Sequence, residues 1–216
     1  PQVHVVKGNG NWWFTKSMNE GCKYAVEKLN AQLILMINDD VQLPEHYLQC
    51  FINNYTDCGP NSVIGSSSYS AAKPHLITFS GLKRRDIWKF KVYKYFASYT
   101  PKEPGVLKGV ASSVTLPTRG LLIPAKLLKE IDYLDEVHFP QYASDHDVVY
   151  RAAEKGARVF VSYDAYVFEH MELTSGGNAR LAKSLSHFLK NVFTNKYSSN
   201  YFFKDVRMTW RHWTKL

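Results

Sequence analysis

The most constraining stretch of this 216-residue chain is Leu33-Ile34-Leu35-Met36-Ile37-Asn38-Asp39-Asp40, a dense aliphatic run that stops on two adjacent carboxylates. A short run of this kind, followed soon by Pro44, predicts a strand buried on both faces of a parallel sheet. In open α/β sheets, ligands sit outside the carboxyl ends of the strands. Two like charges placed there repel each other unless a cation or solvent compensates. Mg²⁺ characteristically takes one or two carboxylates together with substrate phosphates. The residues therefore point to a metal–diphosphate site at a sheet edge. A polar loop that happens to open on two Asp is the plain alternative.

The flanking segments extend this pattern. Pro1-Gln2-Val3-His4-Val5-Val6 reads as a strand entered at the first residue, as expected of a fragment of a longer chain. Met18, Cys22, Ala25, Val26 and Leu29 recur at helical spacing after Thr15, a fair N-cap. Residues 1–40 thus read β-α-β, the unit that builds parallel sheets. Pro44 is expected to open a helix with Tyr47, Leu48, Phe51, Ile52 and Tyr55 on one face, and Ser62-Val63-Ile64-Gly65 the next strand. Trp88 to Phe96 alternates lysines with apolar residues, which predicts a strand with one cationic face. Pro124 opens a short helix. Ser144-Asp145-His146-Asp147 begins another, closed by Gly156. Arg158 to Val161 and Tyr166 to His170 read as two strands, and Leu181 to Phe193 as a long amphipathic helix.

A net charge of +8 favours anionic partners. The 14 Tyr, 12 Phe and 5 Trp suit stacking as well as a core. Cys22, Cys50 and Cys58 lack a pairing pattern and read as reduced thiols of a cytoplasmic protein. No apolar run is long enough to cross a bilayer.

Taken together, Gly8 to Trp13, Met18-Asn19-Glu20-Gly21, Asn38-Asp39-Asp40-Val41, Arg119 to Pro124, Leu134-Asp135-Glu136, Ser144 to Asp147 with Arg151, and Phe168-Glu169-His170 resemble family 2 glycosyltransferases of the GT-A fold. The resemblance is closest to bacterial rhamnosyltransferase-like members and runs from residue 3 to about residue 195. It implies an α/β fold with a mostly parallel, Rossmann-related sheet flanked by helices over residues 1–180. Residues 181–216 would be a C-terminal helical extension. The family's N-terminal nucleotide-binding βαβ segment has no counterpart here, which agrees with a fragment.

The same resemblance implies residue roles. Asp40 would hold Mn²⁺ or Mg²⁺ on a donor diphosphate, the Lewis-acid role, with His170 as a further metal ligand. Asp39, Gly8, Gly10, Asn19 and Arg119 would face a nucleotide-sugar donor. Asp145 would be the base that takes a proton from an acceptor hydroxyl. Trp12 and Trp13 would pave the acceptor side. Each has a bland counterpart: a polar edge for His170, an N-cap for Asp145, a packed core for one of the tryptophans. Asp147 and Arg151 read as an i,i+4 ion pair, and Gly176-Gly177 has the composition of a lid.

The function implied is inverting sugar transfer to a saccharide or lipid-linked hydroxyl, in bacterial surface polysaccharide synthesis. The basic aromatic tail from Tyr201 onward would let the protein sit peripherally on an anionic membrane. A metal-dependent phosphoesterase or nuclease, or a nucleic-acid-binding module built on Lys83 to Tyr95, are the alternatives, although nucleic acid is not an expected partner.

Overall fold

In the computed structural model, residues 2–86, 91–170, 185–198 and 202–212 are described. In chain order the elements among them are α1 (Phe14–Glu27), β1 (Leu33–Met36), β2 (Val41–Gln42), α2 (Tyr47–Cys58), β3 (Ser62–Ser70), β4 (Leu76–Phe79), β5 (Leu82–Asp86), β6 (Lys91–Lys94), β7 (Thr100–Pro101) and β8 (Val110–Ser112). They are followed by β9 (Leu121–Pro124), α3 (Ala125–Glu130), α4 (Ser144–Glu154), β10 (Arg158–Glu169), α5 (Leu185–Phe193) and α6 (Phe202–His212).

The main sheet runs β1-β9-β3-β10-β2, with β4 and then β7 added beside β3 and with β8 beside β10. β5 and β6 form a separate two-stranded sheet. Among the described residues, the only parallel pair of the main sheet is β3 with β10, which sets Val63 opposite Val159 and Gly65 opposite Val161. The β1–β9, β3–β9, β3–β4, β4–β7, β10–β8 and β10–β2 pairs are all antiparallel. The expected mostly parallel GT-A sheet is therefore wrong. This is a mixed sheet in which antiparallel pairing dominates.

The reason lies in what an aliphatic run reports. Ile34 and Met36 enter one apolar cluster, with Cys22 and Val26 of α1, Leu127 and Leu128 of α3, and Val148 and Val149 of α4. Leu33, Leu35 and Ile37 lie against the other, with Tyr47 and Phe51 of α2. Two-sided burial, correctly signalled by Leu33–Met36, makes both faces apolar. It leaves chain direction open, and the neighbour is β9, antiparallel, with Met36 opposite Leu121.

Other expectations change as well. Residues 2–6 form no strand, and Val3 and Val5 are exposed, so the chain does not open β-α-β. Helix α1 is preceded by Trp13 as N-cap rather than Thr15. On α2, Tyr47 and Phe51 are buried while Leu48 and Ile52 face outward. The two short strands expected after Gly156 are one twelve-residue strand, β10. β3 runs on through Ser66-Ser67-Ser68-Tyr69-Ser70, buried throughout. Hydroxyl pairs make that burial tolerable, for example Ser68 with Thr78 and Tyr47 with Ser66, each at 2.8 Å. The lysine-alternating segment contributes β6; residues 87–90 and the Gly176-Gly177 loop lie outside the described residues.

Candidate functional site

Three backbone pins build one wall of a cleft. Gly120 N–H donates to the Met36 carbonyl at 3.0 Å, and Ser66 N–H donates to the Gly120 carbonyl at 2.8 Å. Together they lash the segment before β9 to the end of β1, beside Asn38, and to Ser66 of β3. The third pin is His170 N–H, which donates to the Asp40 carbonyl at 3.0 Å. Gly120 has φ +88°, and a Cβ there would collide with the Tyr47 hydroxyl and the Ser66 Oγ. A left-handed, sterically closed position of this kind admits only glycine. It turns the preceding Arg119 side chain toward the cleft, where the guanidinium pairs with buried Glu169.

The opposite wall comes from the start of α1 and of α4. Thr15 N–H donates to the Pro140 carbonyl at 3.1 Å, and the Thr15 hydroxyl reaches the Phe139 carbonyl at 2.6 Å and Ser144 Oγ at 2.8 Å. Phe14 N–H donates to Gln141 Oε1 at 3.1 Å. Ala143, left-handed at φ 71°, caps α4 and swings Asp145 into its first turn.

The resulting cleft is about 700 Å³, of ordinary ligand-site size. Asn38, Asp40, Arg119 and Asp145 line it, with Phe14, Phe79 and Tyr142 as its aromatic surfaces. Lys94, Arg119 and Lys204 among its lining residues are matched by Asp40, Asp145 and Asp205. Burial pulls the Arg119 guanidinium below its ordinary value, and the fields of Asp145, Asp40 and Tyr99 act against that pull. The Lys204 ammonium lies 5.7 Å over the Tyr142 ring.

Of the residues singled out from sequence, Asp40, Arg119 and Asp145 meet in this cleft. The others lie elsewhere. Asp39 is exposed. Asn19 is buried, with its amide donating to the Leu134 carbonyl at 2.8 Å and accepting from Leu134 N–H at 2.9 Å. Gly8, Gly10 and Trp12 line a separate, smaller hollow of about 350 Å³. Trp13 stacks on Tyr197, ring centroids 4.2 Å apart. His170 is joined to Asp40 through the backbone bond already described. Among the described residues, no group of three or more His, Cys, Asp or Glu side chains is placed to hold a metal ion.

Sequence reasoning missed Phe14, Phe79, Gln141 and Tyr142 in the cleft. The first two read simply as apolar residues. The last two lie in an irregular segment before α4, where Gln141 meets Phe14 N–H and Tyr142 meets Lys204, long-range contacts for which local sequence gives no signal.

The chain matches no protein-family model and no curated protein. The resemblance to family 2 glycosyltransferases is corrected accordingly. The sheet that GT-A chemistry requires is absent, since its pairings are predominantly antiparallel. The metal-dependent sugar-transfer activity and the rhamnosyltransferase-like, polysaccharide-building context fall with that resemblance. Among the described residues no ligand cluster for a metal is assembled that would support the phosphoesterase or nuclease alternative. The segment on which the nucleic-acid-binding alternative is built, Lys83 to Tyr95, falls in part outside the described residues.

Proposed function

We propose that the cleft between the end of β1 and the start of α4 binds an uncharged, polyhydroxylated small molecule of saccharide type. The observation that carries this reading is the convergence of Asp40 and Asp145 on one cleft with Arg119 and Asn38. Carboxylates accept from hydroxyls, a guanidinium donates, and an amide does both. Such a set satisfies the mixed donor–acceptor character of a polyol. The rings of Phe14, Phe79 and Tyr142 offer apolar faces for C–H surfaces.

Charge balance argues against an anionic ligand. Arg119 is already paired with Glu169, and three carboxylates, Asp40, Asp145 and Asp205, sit in the lining beside its three cations. A phosphate brought there would meet as much negative as positive potential.

Titration calorimetry with a panel of neutral mono- and disaccharides, alongside their phosphorylated forms, tests the reading. Binding of a neutral sugar that is weakened by Asp40→Asn and by Asp145→Asn supports it. Preference for the phosphorylated forms, or affinity indifferent to both substitutions, overturns it.

A further inference from the structure

Helix α6 carries its polarity inside out. Lys204, Met208, Arg211 and His212, at i, i+4, i+7 and i+8, make its inner face, with Met208 and His212 buried. There Arg211 Nη1 donates to Asp147 at 2.8 Å and Arg211 Nη2 lies 2.8 Å from Asp135. His212 lies 3.1 Å from Asp147 and 2.9 Å from Glu154. The outward face holds Phe202, Phe203, Val206 and Trp210, the last 85% exposed. Ordinary surface helices bury the apolar stripe and expose the charges. Here the charges are used in docking the helix, and the apolar stripe is left to solvent.

The stripe continues onto α5. Phe193 is half exposed, its ring centroid is 6.2 Å from that of Phe202, and Leu189 is also exposed. Contiguous exposed apolar surface of this kind marks an interaction site. The same segments carry exposed cations, Lys190 on α5, Lys196 just after it and Arg207 on α6, with Asp205 the opposing charge on α6. Aromatic and aliphatic side chains flanked by Lys and Arg are the pattern of a helix lying in a lipid headgroup region. No described helix is long and apolar enough to cross a membrane.

We infer that the α5–α6 face docks on an anionic lipid bilayer, with Phe202, Val206 and Trp210 entering the headgroup boundary and Lys190, Lys196 and Arg207 meeting lipid phosphates.

Co-sedimentation of the full chain with vesicles of phosphatidylcholine, alone or mixed with phosphatidylglycerol, tests this. The expected result is partition onto the mixed vesicles at least about tenfold above the neutral ones, weakened by raised salt. Trp210→Ser should reduce that partition by about tenfold, and Arg207→Glu by several-fold, with unchanged circular dichroism. Trp210 is so exposed that its replacement spares the fold. Equal partition onto both vesicle types, or undiminished binding by Trp210→Ser, overturns the inference. So does a concentration-dependent dimer, seen by light scattering, that Trp210→Ser abolishes, because the face would then meet a second copy.

Discussion

Arg211, near the end of α6, donates to the carboxylate of Asp147 in the first turn of α4 at 2.8 Å. The same carboxylate accepts from Arg151 Nε at 2.7 Å and lies 3.1 Å from His212 Nε2, and Asp147 is wholly buried. An i,i+4 pair legible in sequence is thus the centre of a network that fastens the C-terminal helix. Removing one partner from a buried charge cluster is costly because the others stay behind, desolvated. Asp147→Asn is expected to lower stability by about 3 kcal/mol, read from chemical denaturation.

Acid should find the same weak point. Burial raises the Asp147 pKa, but the hydrogen bond with His212 and the charges and bonds of Arg151 and Arg211 more than reverse this, holding it at about 2 against an ordinary 3.8. Asp135, bonded to His138 and Arg211, is held low as well. A carboxyl depressed on folding contributes its stability in full above its unfolded pKa and loses it as pH falls through the folded one. Stability is therefore expected to fall by about 2 kcal/mol between pH about 4 and about 2 on account of Asp147. Denaturant midpoints across that window measure it, and Asp147→Asn should flatten the slope.

Gly120 supports both the sheet and the cleft. Gly120→Ala would place a methyl against Tyr47 and Ser66 at a positive φ, at an expected cost of about 2 kcal/mol or more. Displacement of Arg119 should weaken ligand binding in the protein that remains folded, and calorimetry below the melting temperature reads that loss.

Asn19 gives the opposite pattern. Asn19→Ala would strand the buried N–H and C=O of Leu134, costing about 2 kcal/mol, while sugar affinity measured on the folded protein stays unchanged. A loss of affinity without a loss of stability would return Asn19 to the site.

For Asp145, the reverse split is expected. Its carboxylate faces the cleft and makes one local bond, accepting from His146 N–H at 2.9 Å. Asp145→Asn should weaken sugar binding by about tenfold, the worth of a charge-assisted hydrogen bond. The melting temperature should move little.

Individual elements, though not the sheet they build, were readable along the chain. The aliphatic run at Leu33–Met36, the proline before α3 and the glycine after α4 each signal an element through local backbone or burial preference. The second half of β3 was not, because Ser66-Ser67-Ser68 looks like a loop until partners such as Thr78 and Tyr47 satisfy the hydroxyls. Asp40, Arg119 and Asp145 stood out as candidates, yet nothing in their spacing says that they share a cleft.

What the sequence by itself determined was which segments must be buried, since apolar density tracks removal from water whatever the neighbour. Strand direction was decided only in the tertiary structure. The two faces of β1 are equally apolar whether β9 runs with it or against it; the antiparallel choice is seen only in the pairing of Leu33 with Pro124 and Met36 with Leu121, extended by the Gly120 N–H bond to the Met36 carbonyl. Other long-range bonds, His170 N–H to the Asp40 carbonyl and Thr15 to the Pro140 and Phe139 carbonyls ahead of α4, bring Asp40 and Asp145 to one cleft, because loop conformation is set by contacts that no local pattern encodes.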